Sequence, residues 1–125
     1  MTHNSILKLA IILYILGFLS TSGYGQVVST LAGLSPDADG PAAMSGFSSP
    51  NGVAIDSKGN VYVAEADNNK IRKISAQGIV STFAGDGGWG KQDGEGKNAR
   101  FMYPWGIAID TEDNVYVSEL GGHRI

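Results

Sequence analysis

Residues 47–71 and 101–125 are two copies of one module, identical at 12 of 25 aligned positions with no gap. With each residue type used at ~5–7%, chance supplies only one or two such matches, so the chain is an internal repeat and its fold must be one that repeats. Phe47, Pro50, Gly52, Ala54, Ile55, Asp56, Asn60, Val61, Tyr62, Val63, Glu65 and Ile71 return 54 residues later, at Phe101 through Ile125. Upstream, Val27 to Gly33 returns as Ile79 to Gly85 at an offset of 52, which places a two-residue insertion between Gly85 and Asp93.

Each copy reads as strands joined by turns. Val53-Ala54-Ile55 and Val61-Tyr62-Val63 flank Asp56-Ser57-Lys58-Gly59-Asn60, a turn of the kind that supplies left-handed backbone and side-chain capping. A second turn at 66–69 leads to Lys70-Ile71-Arg72-Lys73-Ile74, and Ala76-Gln77-Gly78 returns the chain as Ile79 to Ala84. One module is therefore four antiparallel strands. The two inner strands are apolar at consecutive positions, which predicts burial on both faces. The third, with Lys70, Arg72 and Lys73, is expected further out and partly wetted. Four-stranded sheets covered on both faces stack around an axis as a β-propeller.

Pro50-x-Gly-Val-Ala-Ile-Asp, Gly59-Asn60-Val-Tyr-Val-Ala-Glu, Lys70-Ile-Arg-Lys-Ile and Ser81-Thr-Phe-Ala-Gly resemble the NHL repeat, a family of β-propeller blades. The resemblance covers almost all of residues 27–125. It departs at Glu65 and Glu119, where the family usually has Asp, and at Asn68-Asn69-Lys70-Ile71 and Gly122-His123-Arg124-Ile125, where it usually has Asn-His-Arg-Ile. The implied fold class is all-β, an NHL-type propeller fragment of about two four-stranded antiparallel blades after an N-terminal signal helix. The expected domains are a signal peptide (1–25), a lone strand (26–33) completing the last blade of a full ring, and NHL blades over 34–125, the first at 47–85 and the second, truncated, at 101–125. Because two blades are too few to cover one another, the sequence reads as the N-terminal part of a longer protein whose remaining blades close the ring.

Residues 1–25 carry Lys8, an apolar run from Leu9 to Leu19 and small residues up to Gly25, the pattern of an export signal. The run is shorter than the ~20 residues of a spanning helix. The expected location is secreted or extracytoplasmic, with an uncleaved N-terminal anchor as the alternative. Without residues 1–25 the chain has 8 basic and 12 acidic residues, a formal charge of −4, which argues against nucleic-acid binding. Cysteine is absent, so no disulfide and no thiol-attached lipid is available.

Antiparallel order places the connectors 34–46 and 86–100 on one rim with the turns 66–69 and 120–123. That rim presents Trp89, Lys91, Trp105, Asn68, Asn69, His123 and Arg124 as candidate ligand contacts. Trp89 stands out, because aromatic anchors carry binding energy, although either tryptophan can instead cover a blade junction. Asp56, Asp110, Glu65 and Glu119 recur in both copies and so suit a task of each blade: the aspartates capping the hairpin turn, and Glu65 pairing across the next turn with Lys70. Gly85-Asp86-Gly87-Gly88-Trp89-Gly90 matches GxGxxG, but Lys91 to Gly96 cannot start the helix a dinucleotide site requires, so it reads as a flexible loop. Asp37-Ala38-Asp39-Gly40 lacks the later ligands of a calcium loop. Two histidines, His3 and His123, cannot form the three-histidine zinc site of amidating lyases that resemble this propeller.

No catalytic residue, metal or cofactor is expected from this stretch. The expected function is an exported propeller acting as a binding or scaffold module for a protein or carbohydrate on the connector rim. The alternative is part of a lactonase-like or lyase-like propeller enzyme whose catalytic residues lie mostly in further blades.

Overall fold

The computed structural model describes residues 29–33 and 38–125. The expected signal segment and residues 26–28 of the lone strand lie outside them. Residues 29–33 carry no strand. A strand needs a ladder partner, and the one expected here, an edge of another blade, is not among the described residues. Instead the Gly33 amide donates to the Ser45 carbonyl at 2.9 Å, and Ala32 packs on the chain's own first sheet.

The first repeat forms the four expected strands, β2 (Pro50–Ile55), β3 (Val61–Glu65), β4 (Lys70–Ile74) and β5 (Ile79–Ala84), all antiparallel neighbours. A short β1 (Gly40–Pro41) pairs outside β5, giving the order β1-β5-β4-β3-β2. The connector before the first repeat thus runs down the outer edge of the blade, and Ala42 donates its amide to Gly78 O at the opposite end. The connector 34–46, expected to emerge on the rim of the 66–69 turn, thus reaches the opposite end of the blade within its described residues 38–46. The second repeat contributes β6 (Pro104–Ile109) and β7 (Val115–Glu119), paired with the same register as β2 and β3: Ala54 faces Tyr62 as Ala108 faces Tyr116. Both hairpins carry an irregularity after their first proline.

Period-two alternation gives each sheet two faces. From the first blade, Tyr62, Ala64 and Ile71 point forward into Phe101, Ile107, Ile109, Val115 and Val117 of the second repeat, forming the joint between blades. From its rear face, Val63, Ile74 and Val80 enclose Ala42, with Phe47 and Val61 alongside. The joint is tightest at the inner strands. A Cβ built on Gly52 would stand 2.6 Å from the Trp105 carbonyl and 2.8 Å from the Ile107 amide, so only glycine lets β2 and β6 approach this closely.

Two expectations fail in instructive ways. β2 is not buried on both faces: Val53 and Ile55 are 60% and 64% exposed, because only its forward side meets a second blade. β4 is not wetted at Arg72, which is fully buried. Among the described residues no helix is long and apolar enough to cross a membrane.

Candidate ligand-binding rim

Turn chemistry positions both rims. On the rim that carries the β2–β3 turn, Asp56 accepts hydrogen bonds from the Lys58 amide (3.0 Å), the Asn60 amide (2.8 Å), Asn60 Nδ2 (2.7 Å) and the Tyr62 hydroxyl (3.2 Å). Asp110 repeats the set with Glu112, Asn114 and Tyr116. The side-chain bond from Asn60, helped by the amides and Tyr62, holds the Asp56 carboxyl below the usual range, and Asn114 does the same for Asp110. Burial, then the Asp56 bond, pushes the Tyr62 hydroxyl up, and the Asp110 bond pushes Tyr116 up. These aspartates close their hairpins with every carboxylate oxygen occupied.

The glutamates work at the other end. Glu65 accepts from the Ser48 amide at 3.0 Å and Glu119 from the Met102 amide at 2.8 Å, so each ties its own strand to the segment leading into the blade. Arg72, which the expected pairing of Glu65 with Lys70 did not include, lies with its Nη1 3.3 Å from Glu65 Oε2, and also reaches Asp39 Oδ1 (2.6 Å), Ala38 O and Gly46 O, with Phe47 beneath its guanidinium. Arg72 sits diagonally from Glu65 on the same sheet face, and the buried pair is completed by backbone carbonyls. In the second repeat the pairing does cross the turn, with Arg124 Nε 2.7 Å from Glu119 and Nη groups on Asp93 and Arg100 O.

The connector rim brings the 66–69 turn, the 85–101 connector and the start of β6 together. Asn69 is buried, with its Oδ1 accepting the Tyr103 amide at 3.1 Å, and Arg124, 30% exposed at its side chain, pairs with Glu119 and Asp93. Asn68 is half-buried beside Gly87. Lys91 and His123 are exposed, and Trp89 and Trp105 are 63% and 51% exposed. The rim also holds residues that the sequence reading passed over. Tyr103 and Leu120 are exposed and adjacent, joined by the Leu120 amide on Tyr103 O at 2.9 Å, with Trp105 two residues on. Tyr103 holds a left-handed backbone (φ 51°), as Ser49 does at the equivalent place of the first repeat (φ 47°), and no residue type announces it.

The glycine-rich connector is held by hydrogen bonds at Asp86 and Gly90. Asp86 accepts from the Gly88 amide (2.6 Å) and Arg100 Nε (2.7 Å), Trp89 bridges to Phe101, and Gly90 donates to Phe101 O. Arg100, followed by Gly88, holds the Asp86 carboxyl below its usual range. A cavity of about 590 Å³ opens along the free edge of β7, lined by Ile71, Phe83, Phe101, Val117 and Arg124. In the first blade the matching edge of β3 is covered by β4, so this space has the form of a strand seat. Among the described residues no group of three or more His, Asp or Glu stands together as a metal site.

The sequence profile described as NHL repeat matches residues 47–74 and 101–125, the two segments that build the hairpins. This chain belongs to the NHL repeat family. NHL repeat-containing protein 2 of Gallus gallus is 35% identical over 120 residues, covering 86% of this chain and 16% of its own; the Homo sapiens protein of that name is 34% identical over 113 residues, at 81% and 15%. The chain thus spans under a fifth of the length of these relatives. Among solved structures, a Bacteroides thetaiotaomicron protein of unknown function superposes with TM-score 0.67 at 32% identity, covering 70% of this chain and 22% of that one. An auxiliary nutrient binding protein of the same organism gives 0.66 at 26%, covering 76% and 26%. In NHL terms, the Asp-capped hairpin turn and the Glu-tied blade start are present in both repeats, so those four carboxylates serve the blade, and the residues left facing solvent on the connector rim differ between repeats: Trp105 stands where the first repeat has Asn51.

Proposed function

We infer that this chain is part of an exported NHL-repeat propeller that binds a protein or carbohydrate ligand on its connector rim. The observation that carries this reading is the exposure of Trp89, Tyr103, Trp105 and Leu120 on one rim, while the opposite rim presents short polar turns. Monomeric proteins rarely leave several large apolar side chains together in water unless a partner covers them, and aromatic anchors are the residues that carry binding energy. The printed description of a structural neighbour as an auxiliary nutrient binding protein supports a ligand-holding role. Export rests on the charged, apolar and small-residue pattern of residues 1–25.

The test is to probe the full chain on peptide and glycan arrays. Signal on at least one, abolished by Trp89→Ala with Trp105→Ala and unchanged by Lys58→Ala on the far rim, is expected. Silence on both, or signal indifferent to the two tryptophans, contradicts the reading.

A further inference from the structure

Resting on that rim reading, we propose that the ligand is a short peptide, one apolar side chain of which packs on the Tyr103 ring where that ring rests against Gly121. The repeat itself singles out this place. Ser48, Ser49 and Asp67 of the first repeat stand where the second has Met102, Tyr103 and Gly121. The backbone is alike in both: Ser49 and Tyr103 have φ 47° and 51°, and each carbonyl accepts the equivalent amide, Ala66 N at 3.1 Å and Leu120 N at 2.9 Å. In the first repeat two polar side chains close on each other, the Ser49 hydroxyl donating to Asp67. In the second that closure is gone and an aromatic ring takes its place.

The side chain itself is located. A Cβ built on Gly121 would lie 3.2 Å from Tyr103 Cδ2 and 3.3 Å from Met102 Cβ, so the ring lies against bare backbone with Met102 beside it. The open flanks of the two blades do not explain its exposure. Tyr103 has the first blade behind it and Ser49 has the second blade in front, yet both positions face solvent. A left-handed backbone suits Asn or Asp better than a bulky aromatic. The blade's own geometry does not call for tyrosine here, and such an outlier points to function.

The surroundings of the ring select the ligand. Met102 N donates to Glu119 at 2.8 Å and Tyr103 N to Asn69 Oδ1 at 3.1 Å, while Met102 O accepts the Gly121 amide at 3.1 Å and Tyr103 O that of Leu120. Every backbone group of residues 102–103 is therefore already bonded, and a sugar's hydroxyl groups would find only the phenol beside the ring. What the place offers is aromatic surface, which takes an apolar side chain. At 45% exposure, and with ~150–250 Å² on an aromatic side chain, Tyr103 offers on the order of 100 Å², far below the ~800 Å² per partner of a stable interface. A second copy of this chain is not held by so little; a peptide anchored by one residue is.

The experiment is a peptide array and a glycan array probed with the full chain, followed by fluorescence anisotropy with the strongest peptide. Three variants are compared with wild type: Tyr103→Ser with Gly121→Asp, which installs the residues the first repeat uses, Gly121→Ala, whose methyl displaces the ring, and Tyr103→Phe. Binding weakened at least about tenfold in the first two and largely kept by Phe is expected, with every binding peptide carrying an aliphatic or aromatic residue whose change to Ser abolishes its signal. Melting temperatures show whether the double variant is folded; if it is not, Gly121→Ala alone decides. Peptide binding equal to wild type in the folded double variant or in Gly121→Ala overturns the site, and peptides that bind without an apolar residue overturn its chemistry; both leave the rim reading standing. Glycan binding alone overturns the peptide class and likewise spares the rim reading, whereas silence on both arrays overturns the two together.

Discussion

Asp113 of the second repeat reaches across the joint to Ser57 of the first, accepting its backbone amide at 2.8 Å and its hydroxyl at 2.7 Å. The two residues lie in equivalent hairpin turns, so this contact fixes one end of neighbouring blades, while Asn69 on the Tyr103 amide fixes the other. Asp113 holds a left-handed backbone (φ 64°) at the position where the first repeat has Gly59 (φ 81°). Asp113→Gly should relieve that backbone and lose both bonds, costing about 0.5–1.5 kcal/mol. Asp113→Ala should be worse by up to about 1 kcal/mol, because it keeps the backbone conformation without the contacts. Urea denaturation of the full chain orders the three proteins, and an Ala variant as stable as wild type would mean the latch contributes nothing.

Gly52→Ala tests the approach of the inner strands. A methyl 2.6 Å from a carbonyl oxygen cannot be absorbed by a side-chain rotation, because the obstacle is backbone. The joint must open, at a cost of at least about 1–3 kcal/mol. Ordinary stability with unchanged amide exchange in Ile107 would contradict the packing.

Glu65 and Arg72 form a fully buried ion pair, so removing Arg72 strands the Glu65 carboxylate, whereas removing Glu65 leaves Arg72 with Asp39 and the Ala38 and Gly46 carbonyls. Arg72→Ala should destabilise by about 3–5 kcal/mol and Glu65→Ala by less, with the double variant clearly below the sum. Additive losses in a double-mutant cycle would show that the two act independently.

Acid should loosen the hairpin turns. Asp56, Asp110 and Asp86 have carboxyls held below their ordinary range, so they bind protons more weakly folded than unfolded. Their stabilisation is complete above the unfolded value near ~3.9 and is lost as pH falls through the lower folded values. The melting temperature should therefore drop steeply below about pH 4, and Asp56→Asn with Asp110→Asn should flatten that drop. An equally steep fall in the double variant would assign the acid limb to other groups.

The repeat, the hairpins and the turn aspartates were legible because they depend on residues a few positions apart. Tyr62 six residues after Asp56 and Asn60 four after it are local facts. What escaped the sequence depends on distant partners: Arg72 reads as a wetted lysine-like position until Asp39, 33 residues earlier, and Gly46 fold over it. Val53 and Ile55 read as buried because a consecutive apolar run says nothing about whether the neighbouring blade is present. At the rim, Trp89 could be singled out from its glycine setting, whereas the left-handed backbone of Tyr103 and the contacts of Asn69 with the Tyr103 amide and of Arg124 with Glu119 depend on segments far apart in the chain or on torsions no residue type marks.

The central claim is that the two repeats stand side by side as adjacent propeller blades, turn against equivalent turn. The chain has no cysteine, so Ser57→Cys with Asp113→Cys supplies the only two thiols for a short bifunctional maleimide. The account predicts an intramolecular cross-link joining the two turn peptides in the monomeric fraction, found by mass spectrometry. Cross-links between separate molecules only, or two singly modified thiols, would contradict it.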